Sequence, residues 1–149
     1  MASWGNRVVA EVVTRLRAAA PPGVKVLRFP TRDGSGTQIG VYGLERATEP
    51  SGRSASLVFH RHRIAVEIRE AGVESDGETS PGPDELVDEL YVLTIQTLME
   101  DPTLGGLIRT LEEKKSSWKA APGEKVTGVL QLDLEAIYQT RADNPEERT

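Results

Sequence analysis

The chain has 149 residues, a net charge of −5 and no cysteine. Its length suits one domain with its own hydrophobic core, and the lack of cysteine excludes disulfides, thiolate metal sites and a cysteine nucleophile. There is no apolar run of about 18 residues and no basic-then-apolar start, so we expect neither a membrane span nor a signal peptide, and the negative charge argues against broad nucleic-acid binding.

The N-terminal segment predicts an amphipathic helix over residues 3–19. Apolar side chains recur every four positions from Trp4 to Leu16, and charged side chains occupy the other side. Ser3 is the predicted N-cap, and the Pro-Pro-Gly run that follows the segment ends the helix. We therefore expect this helix to lie on the surface of a sheet.

Two short strands are predicted next, over residues 24–29 and 38–44. Residues 31–36 between them are of the types that form turns, and the polar residues 46–53 predict a loop. The two glycines of the 31–36 turn lack the third glycine and the helix start that a nucleotide-binding loop requires, so that interpretation is disfavoured.

Residues 54–70 predict a long strand or a bent pair of strands. Alternate residues share a face, and His60 and His62 lie on the same face as Ile64. Two histidines spaced in this way form a usable metal pair, but they are the only histidines and no suitably spaced carboxylates accompany them. The sequence therefore favours a role for these histidines as polar residues at a sheet end or a subunit contact, and disfavours a zinc site. We expect the protein to bind no metal and no cofactor.

The second helix is predicted over residues 83–99, and most of the chain is organised around it. Its wide apolar arc indicates a largely buried helix, and the carboxylates in its first turns suit the helix N-terminus. An acidic segment rich in glycine, serine and proline precedes it at residues 71–82 and is predicted to be a mobile loop. After it, Gly105 and Gly106 stand between apolar residues and indicate a tight structural turn.

The last third predicts two strands and a tail. Residues 109–121 are mixed in character and read as a strand of a hairpin, whereas residues 125–140 alternate cleanly. We expect residues 1–140 to form a single domain and residues 141–149 to be a loose, charged C-terminal tail. The order of elements predicts an α+β fold, with a four- or five-stranded, mostly antiparallel sheet and two helices packed on one face.

Charge is unevenly distributed along the chain. Residues 1–69 contain eleven basic and five acidic residues, a balance of +6, whereas residues 71–108 contain nine acidic residues and no basic one. Solvated loops and strands explain such a pattern in many proteins. The functional interpretation is that each molecule has one basic and one acidic patch, and that the patches of neighbouring copies meet head-to-tail in a ring.

No catalytic pattern is present: the sequence lacks a nucleophile elbow, a zinc-protease motif and a glycine-rich loop that opens a helix. The carboxylates at the start of the second helix are explained by the helix dipole. We therefore predict that the protein is not an enzyme and has no catalytic residues.

The order of the predicted elements and one short segment resemble the tail terminator family of long-tailed bacteriophages, the family of minor tail protein U-like proteins. Residues 98–107, Leu-Met-Glu-Asp-Pro-Thr-Leu-Gly-Gly-Leu, resemble the segment at the helix end in that family, an acid followed by Thr-Leu-Gly-Gly. The final strand, followed by Arg141 and Asp143, is also similar. The layout covers most of the chain, and the specific match covers about a tenth of it. Residues 71–82 and 112–117 do not correspond to a recognisable part of the family.

The resemblance implies a structural virion protein without catalysis. It implies a hexameric ring on the last ring of the tail tube that stops tube growth and offers a docking surface to the head-tail connector protein. The implied partners are further copies of the chain, the tail tube protein and the connector, with DNA passing through the lumen without specific binding and no membrane. The implied location is the virion tail, with assembly in the host cytoplasm. Candidate subunit or partner contacts are Arg61, Arg63, Asp76, Glu78, Trp118 and Arg141.

Two alternatives remain open at this point. One is another head-tail connector or minor tail protein that also forms rings. The other belongs to a different class, a small cytoplasmic ligand-binding or regulatory domain, which a monodisperse monomer with a deep apolar pocket would favour. Oligomeric state therefore separates the classes most directly.

Overall fold

A computed structural model of the chain describes residues 3–29, 37–51, 54–71, 83–120, 127–141 and 144–148. Within these residues, two helices and six strands follow one another in an α+β order. They are α1 (Trp4–Ala19), β1 (Lys25–Leu27), β2 (Thr37–Ser51), β3 (Ser54–Ala71), α2 (Pro83–Met99), β4 (Thr110–Ala120), β5 (Thr127–Arg141) and β6 (Asn144–Arg148).

The strands form one mixed sheet in the order β1-β2-β3-β5-β4, and β6 pairs with β5 off this path. Only the β1–β2 pair is parallel among the described residues, and the other pairs are antiparallel. The long central strand β3 pairs with β2 on one side and with β5 on the other. The predicted fold class, a mostly antiparallel α+β sheet with two helices, is confirmed.

Both helices share one core with the sheet. Helix α1 contacts β1 and β2, α2 contacts β3 and β5, and the two helices also contact each other. The core combines branched aliphatic side chains from both helices with those on one face of the strands, among them Val8, Val12, Leu16, Val87, Leu98, Ile64, Val66, Leu132 and Leu134. Burying each such side chain stabilises the fold by about 1.5–3 kcal/mol, so this shared core holds the two helices over their strands.

The ends of the helices follow local chemistry. The Ser3 side chain accepts a hydrogen bond from the backbone N–H of Asn6, which satisfies a free donor in the first turn of α1. The chain leaves the helical region at Ala20, immediately before Pro21, as expected for a residue before proline. Helix α2 has the predicted bounds of 83–99.

The predicted loop at residues 46–53 is wrong over most of its length. Strand β2 continues to Ser51, after a bulge between Gly43 and Arg46, and pairs with β3 throughout this extension. Residues 45–49 are exposed and carry no apolar alternation. Their strand conformation is instead supported by backbone pairing with β3, a long-range effect that local sequence does not reveal.

The predicted C-terminal tail and two predicted loops have different outcomes. Residues 144–148 of the predicted loose tail form β6, because they pair with the end of β5. The predicted turn at residues 31–36 and residues 72–82 of the predicted mobile loop lie outside the described residues.

Candidate functional site

The segment that follows α2, residues 101–108, is a turn built around one carboxylate, and we call it the 101–108 turn. Asp101 Oδ1 accepts hydrogen bonds from the backbone N–H and the hydroxyl of Thr103, at 3.1 and 2.5 Å, and Oδ2 accepts one from the N–H of Gly105 at 2.8 Å. The Thr103 hydroxyl oxygen in turn accepts from the N–H of Gly106 at 3.1 Å. The hydrogen bonds from Thr103 and Gly105 lower the pKa of Asp101, because they stabilise its charged form.

Three successive residues of the 101–108 turn have left-handed backbone conformations. The φ angles of Leu104, Gly105 and Gly106 are 52°, 73° and 84°. Leu104 is the exception among them because it has a side chain, and burial of that side chain in the core offsets the unfavourable conformation. Both glycines are exposed, so the backbone conformation and not a lack of space explains why glycine suits these positions.

The 101–108 turn is joined to α1 at two separate points. The indole N–H of Trp4 donates to the backbone carbonyl of Leu107 at 3.0 Å, and Arg15 Nη2 lies 3.8 Å from Asp101 Oδ2. These contacts hold the exposed glycine backbone in a defined position beside the helix.

A second cluster, which we call the histidine cluster, consists of Arg46, His60, His62, Tyr138 and Thr140. His60 Nε2 lies 2.7 Å from the Thr140 hydroxyl, and its ring stacks on Tyr138 with centroids 4.8 Å apart. Arg46 Nη1 donates to the Tyr138 hydroxyl at 3.5 Å, and the ring of His62 meets Tyr138 edge-on. The cluster joins β2, β3 and β5 at one end of the sheet.

The histidine cluster lies under the first turn of α1. A Cβ added at Gly5 would lie 3.0 Å from the Tyr138 hydroxyl and 3.1 Å from Arg46 Nη1, and one added at Gly43 would lie 3.0 Å from His62 Nε2. Both glycines therefore allow a close approach of backbone to ring. The cluster is packed so tightly that it leaves little room for a ligand.

Protonation of the histidine cluster is unfavourable. Burial, followed by the positive charge of Arg46, lowers the pKa of His62 to about 4, and the same two causes lower the pKa of His60. The Nδ1 atoms of both rings are buried and have no hydrogen-bond partner among the described residues. At neutral pH both imidazoles are therefore uncharged.

The described residues contain no group of three or more His, Asp or Glu side chains arranged to hold a metal ion. The predicted pair, His60 and His62, shares a face of β3 as expected from the alternation, but the groups around it are a tyrosine, a threonine and an arginine. The prediction that the protein binds no metal or cofactor stays a prediction. In the described part of the chain, no helix combines the length and apolar character needed to span a membrane.

The open face of the sheet, opposite the helices, carries the predicted contact residues Arg61 and Arg63. Arg61 pairs with Glu135 at 3.1 Å and with Glu49 at 3.5 Å, and Arg63 pairs with Glu45 at 3.4 Å. The arginines link neighbouring strands, and about half of each side chain stays exposed. A partner that binds these arginines would have to compete with the carboxylates that already pair with them.

The other predicted contacts lie apart from that pair. Trp118 lies near the end of the edge strand β4 and is 52% exposed. Arg141 is exposed at the end of β5, opposite Leu57 in the strand register. Asp76 and Glu78 lie outside the described residues. The described candidates are thus distributed over the sheet and do not form a single site.

The two halves of the helical layer carry opposite charges. The α1–β1 half, residues 3–29, contains five basic residues and one acidic residue. Residues 83–108, which comprise α2 and the 101–108 turn, contain six acidic residues and no basic one. Because α1 covers β1 and β2 while α2 covers β3 and β5, the opposite charges lie side by side along the helical layer. The charge asymmetry along the sequence thus becomes an asymmetry in space.

Sequence reasoning missed three members of the histidine cluster, Arg46, Tyr138 and Thr140. Arg46 falls in the predicted loop at residues 46–53, and Tyr138 and Thr140 fall in the predicted strand at residues 125–140, with no feature that marks them as site residues. Alternation in residues 125–140 puts Tyr138 on the same face as Leu132 and Leu134, but the strand register that sets it beside His60 is a long-range property. No local signal could have assembled these residues.

No protein-family model matches the chain, and no curated protein sequence matches it. Among solved structures, one similar to the chain is a cryo-EM structure of the sheath/tube terminator of an extracellular contractile injection system, PVC, in its extended state. The similarity has a TM-score of 0.38 and 10% sequence identity, and it covers 95% of this chain and 59% of that one. The chain therefore spans about three fifths of the length of that structure.

Proposed function

We propose that the protein is a structural tail component that forms a ring at the end of a phage tail tube, stops tube polymerisation and provides the docking surface for the head connector. In this role it performs no catalysis and needs no cofactor. Its partners are further copies of itself, the tube protein and the connector protein. The ring is proposed to be hexameric because the sequence resembles that of tail terminators.

The observation that carries the proposal is the 101–108 turn. The residues that give the sequence its resemblance, an acid followed by Thr-Leu-Gly-Gly, are the ones that hold this turn together: Asp101 and Thr103 accept its N–H groups, and both glycines have positive φ angles. The two glycines are exposed and the turn is fixed to α1, as a preformed contact surface needs to be.

The charge distribution is a second support. A ring closes through heterologous contacts, in which one surface of a subunit meets a different surface of the next, and opposite charges on the two surfaces favour such a contact. The basic α1–β1 half and the acidic α2 half supply such a pair of surfaces. The overall negative charge also suits a channel through which DNA passes, since like charges prevent adhesion.

The test adds purified protein to growing tail tubes at several times and measures tube lengths by electron microscopy. We expect each length distribution to stop changing at the moment of addition, with one extra ring at the tube end. Tubes without added protein are the control and continue to grow. Tubes that continue to grow and lack the extra ring after addition would contradict the terminator role, and a protein that binds finished tails without arresting growth would point to a connector.

A further inference from the structure

The outer side of α2 is a continuous acidic stripe, which we call the α2 stripe. It consists of residues on successive turns that are all exposed, namely Glu85, Asp88, Glu89, Val92, Gln96 and Glu100. None of its four carboxylates forms an ion pair with another described residue. Val92 lies in the middle of the stripe and is 44% exposed, so the acidic residues surround a small apolar centre.

The outer side of α1 has the opposite character, and we call it the α1 stripe. Arg7, Ala10, Thr14 and Arg17 lie on successive turns and are all exposed. The only carboxylate of this helix, Glu11, is already paired with Arg15 at 3.1 Å beside the stripe. The guanidinium of Arg7 lies over the Trp4 ring, and Arg17 donates to the carbonyl of Val26, so both arginines are held in place.

The two stripes match in spacing as well as in charge. At about 1.5 Å per residue, Arg7 and Arg17 are about 15 Å apart along α1, and Glu89 and Glu100 are about 16 Å apart along the axis of α2. Between the arginines the α1 stripe has only small side chains, and between the acids the α2 stripe has Val92 and Gln96. Small residues permit close approach of two helices, so the stripes can pair with ionic contacts at both ends and apolar contact between them.

We infer that the α2 stripe binds the α1 stripe of a second copy of this chain, and that this contact joins neighbouring subunits. The inference rests on the proposed ring function and names the surfaces that build the ring. Charge complementarity identifies the occupant: the carboxylates of the α2 stripe have no cationic partner among the described residues, and the matching cations lie on the same molecule's other helix. The contact is heterologous, so each subunit uses both stripes.

Charge reversal in two separate chains tests the contact. Variant A carries Arg7→Glu and Arg17→Glu, and variant B carries Glu89→Lys and Glu100→Lys. In the tube assay we expect each variant alone to lose at least tenfold in capping efficiency, since like charges then face each other at every contact. In an equal mixture, opposite charges face each other at every contact between an A subunit and a B subunit, so a ring in which A and B alternate is favoured and we expect the mixture to recover most of the activity.

The control for the reversal carries Lys114→Glu and Lys115→Glu at two exposed positions of strand β4, which also changes the net charge by four units and should leave capping unchanged. Circular dichroism at the assay temperature confirms that A and B are folded. Capping by A or B alone at the wild-type level, or a mixture that stays inactive, would overturn the inference while leaving the proposed function standing.

A second measurement needs no tubes and keeps the two proposals separable. The chain has no cysteine, so single cysteines can be placed at Thr14 and Val92, the exposed centres of the two stripes. In concentrated protein under mild oxidation, we expect a Thr14→Cys and Val92→Cys mixture to give at least five times more disulfide-linked dimer than Thr14→Cys alone or than a mixture of Thr14→Cys with Lys115→Cys. An equal yield in all three samples would overturn the contact even if the wild-type protein caps tubes.

Discussion

The 101–108 turn and the histidine cluster both connect distant parts of the molecule, but they satisfy their polar groups in opposite ways. In the turn, the hydrogen bonds to the side chains of Asp101 and Thr103 come from residues at most four positions away, and the glycines are exposed. In the histidine cluster, the partners come from three strands, and the buried Nδ1 atoms of His60 and His62 have none among the described residues.

This difference separates two sources of stability. The turn depends on backbone conformation and on hydrogen bonds between residues close in sequence. Its stability should therefore not change between neutral and mildly acidic pH. The histidine cluster depends on burial, and a buried group without a full set of partners costs free energy when its charge changes. Backbone substitutions should therefore damage the turn, whereas acid should damage the cluster.

The largest expected effect is at Gly105. The change Gly105→Val places a β-branched residue at a φ of 73°, with its Cβ 3.3 Å from Arg15 Nη2. Such a conformation costs about 1–3 kcal/mol, which corresponds to a drop of roughly 3–10 °C in Tm for a chain of this length. Differential scanning calorimetry measures it.

Asparagine provides the matched control at the same position, because it tolerates left-handed conformations better than other residues with side chains. We expect Gly105→Asn to lower the Tm by less than half as much as Gly105→Val. Equal Tm values for the valine variant and the wild type would show that the left-handed conformation does not constrain this turn.

The next effect is the pH dependence caused by His62. Its pKa is about 4 in the folded protein and about 6.5 when unfolded, so the unfolded chain takes up a proton first as the pH falls. This contribution to stability is intact above about pH 6.5 and is lost progressively down to pH 4. After allowance for solvent screening, the free energy of unfolding should fall by about 1 kcal/mol between pH 7 and pH 5.

Urea unfolding of the wild type and of His62→Gln at both pH values checks this expectation. The variant removes the titrating group, so its loss of stability on acidification should be smaller by about the same 1 kcal/mol. Titration of Asp101 does not interfere, because its pKa is lowered and its effect lies at more acidic pH. The same pH dependence in both proteins would assign the effect to other groups.

The smallest effect is expected on the open face of the sheet, where neither backbone strain nor burial is involved. Arg63 and Glu45 form a pair at 3.4 Å, with 44% and 71% of their side chains exposed. An exposed pair contributes about 0–1 kcal/mol, so Arg63→Gln should change the free energy of unfolding by less than about 0.5 kcal/mol. A loss above 1 kcal/mol in urea unfolding would indicate that Arg63 has a structural role beyond this ion pair.

The sequence predicted best where structure depends on near neighbours. Helix α2 has its predicted bounds, the N-cap at Ser3 forms as predicted, and the alternation in β3 correctly placed His60 and His62 on the same face as Ile64. Helix period, capping and strand alternation are all properties of residues within a few positions of one another. The α+β class followed from the order of these elements.

Prediction failed where a partner strand decides the outcome. The extension of β2 beyond Arg46 and the strand β6 have polar sequences that resemble loops, and both form because another strand satisfies their backbone groups. The sequence by itself determined both helices, the cores of the long strands, the tight turn at Gly105 and Gly106, and the amount of each charge. Only the tertiary structure decided the strand order, the histidine cluster and the side-by-side placement of the basic and acidic helices, because strand pairing joins residues far apart in the chain and local patterns carry no record of their register.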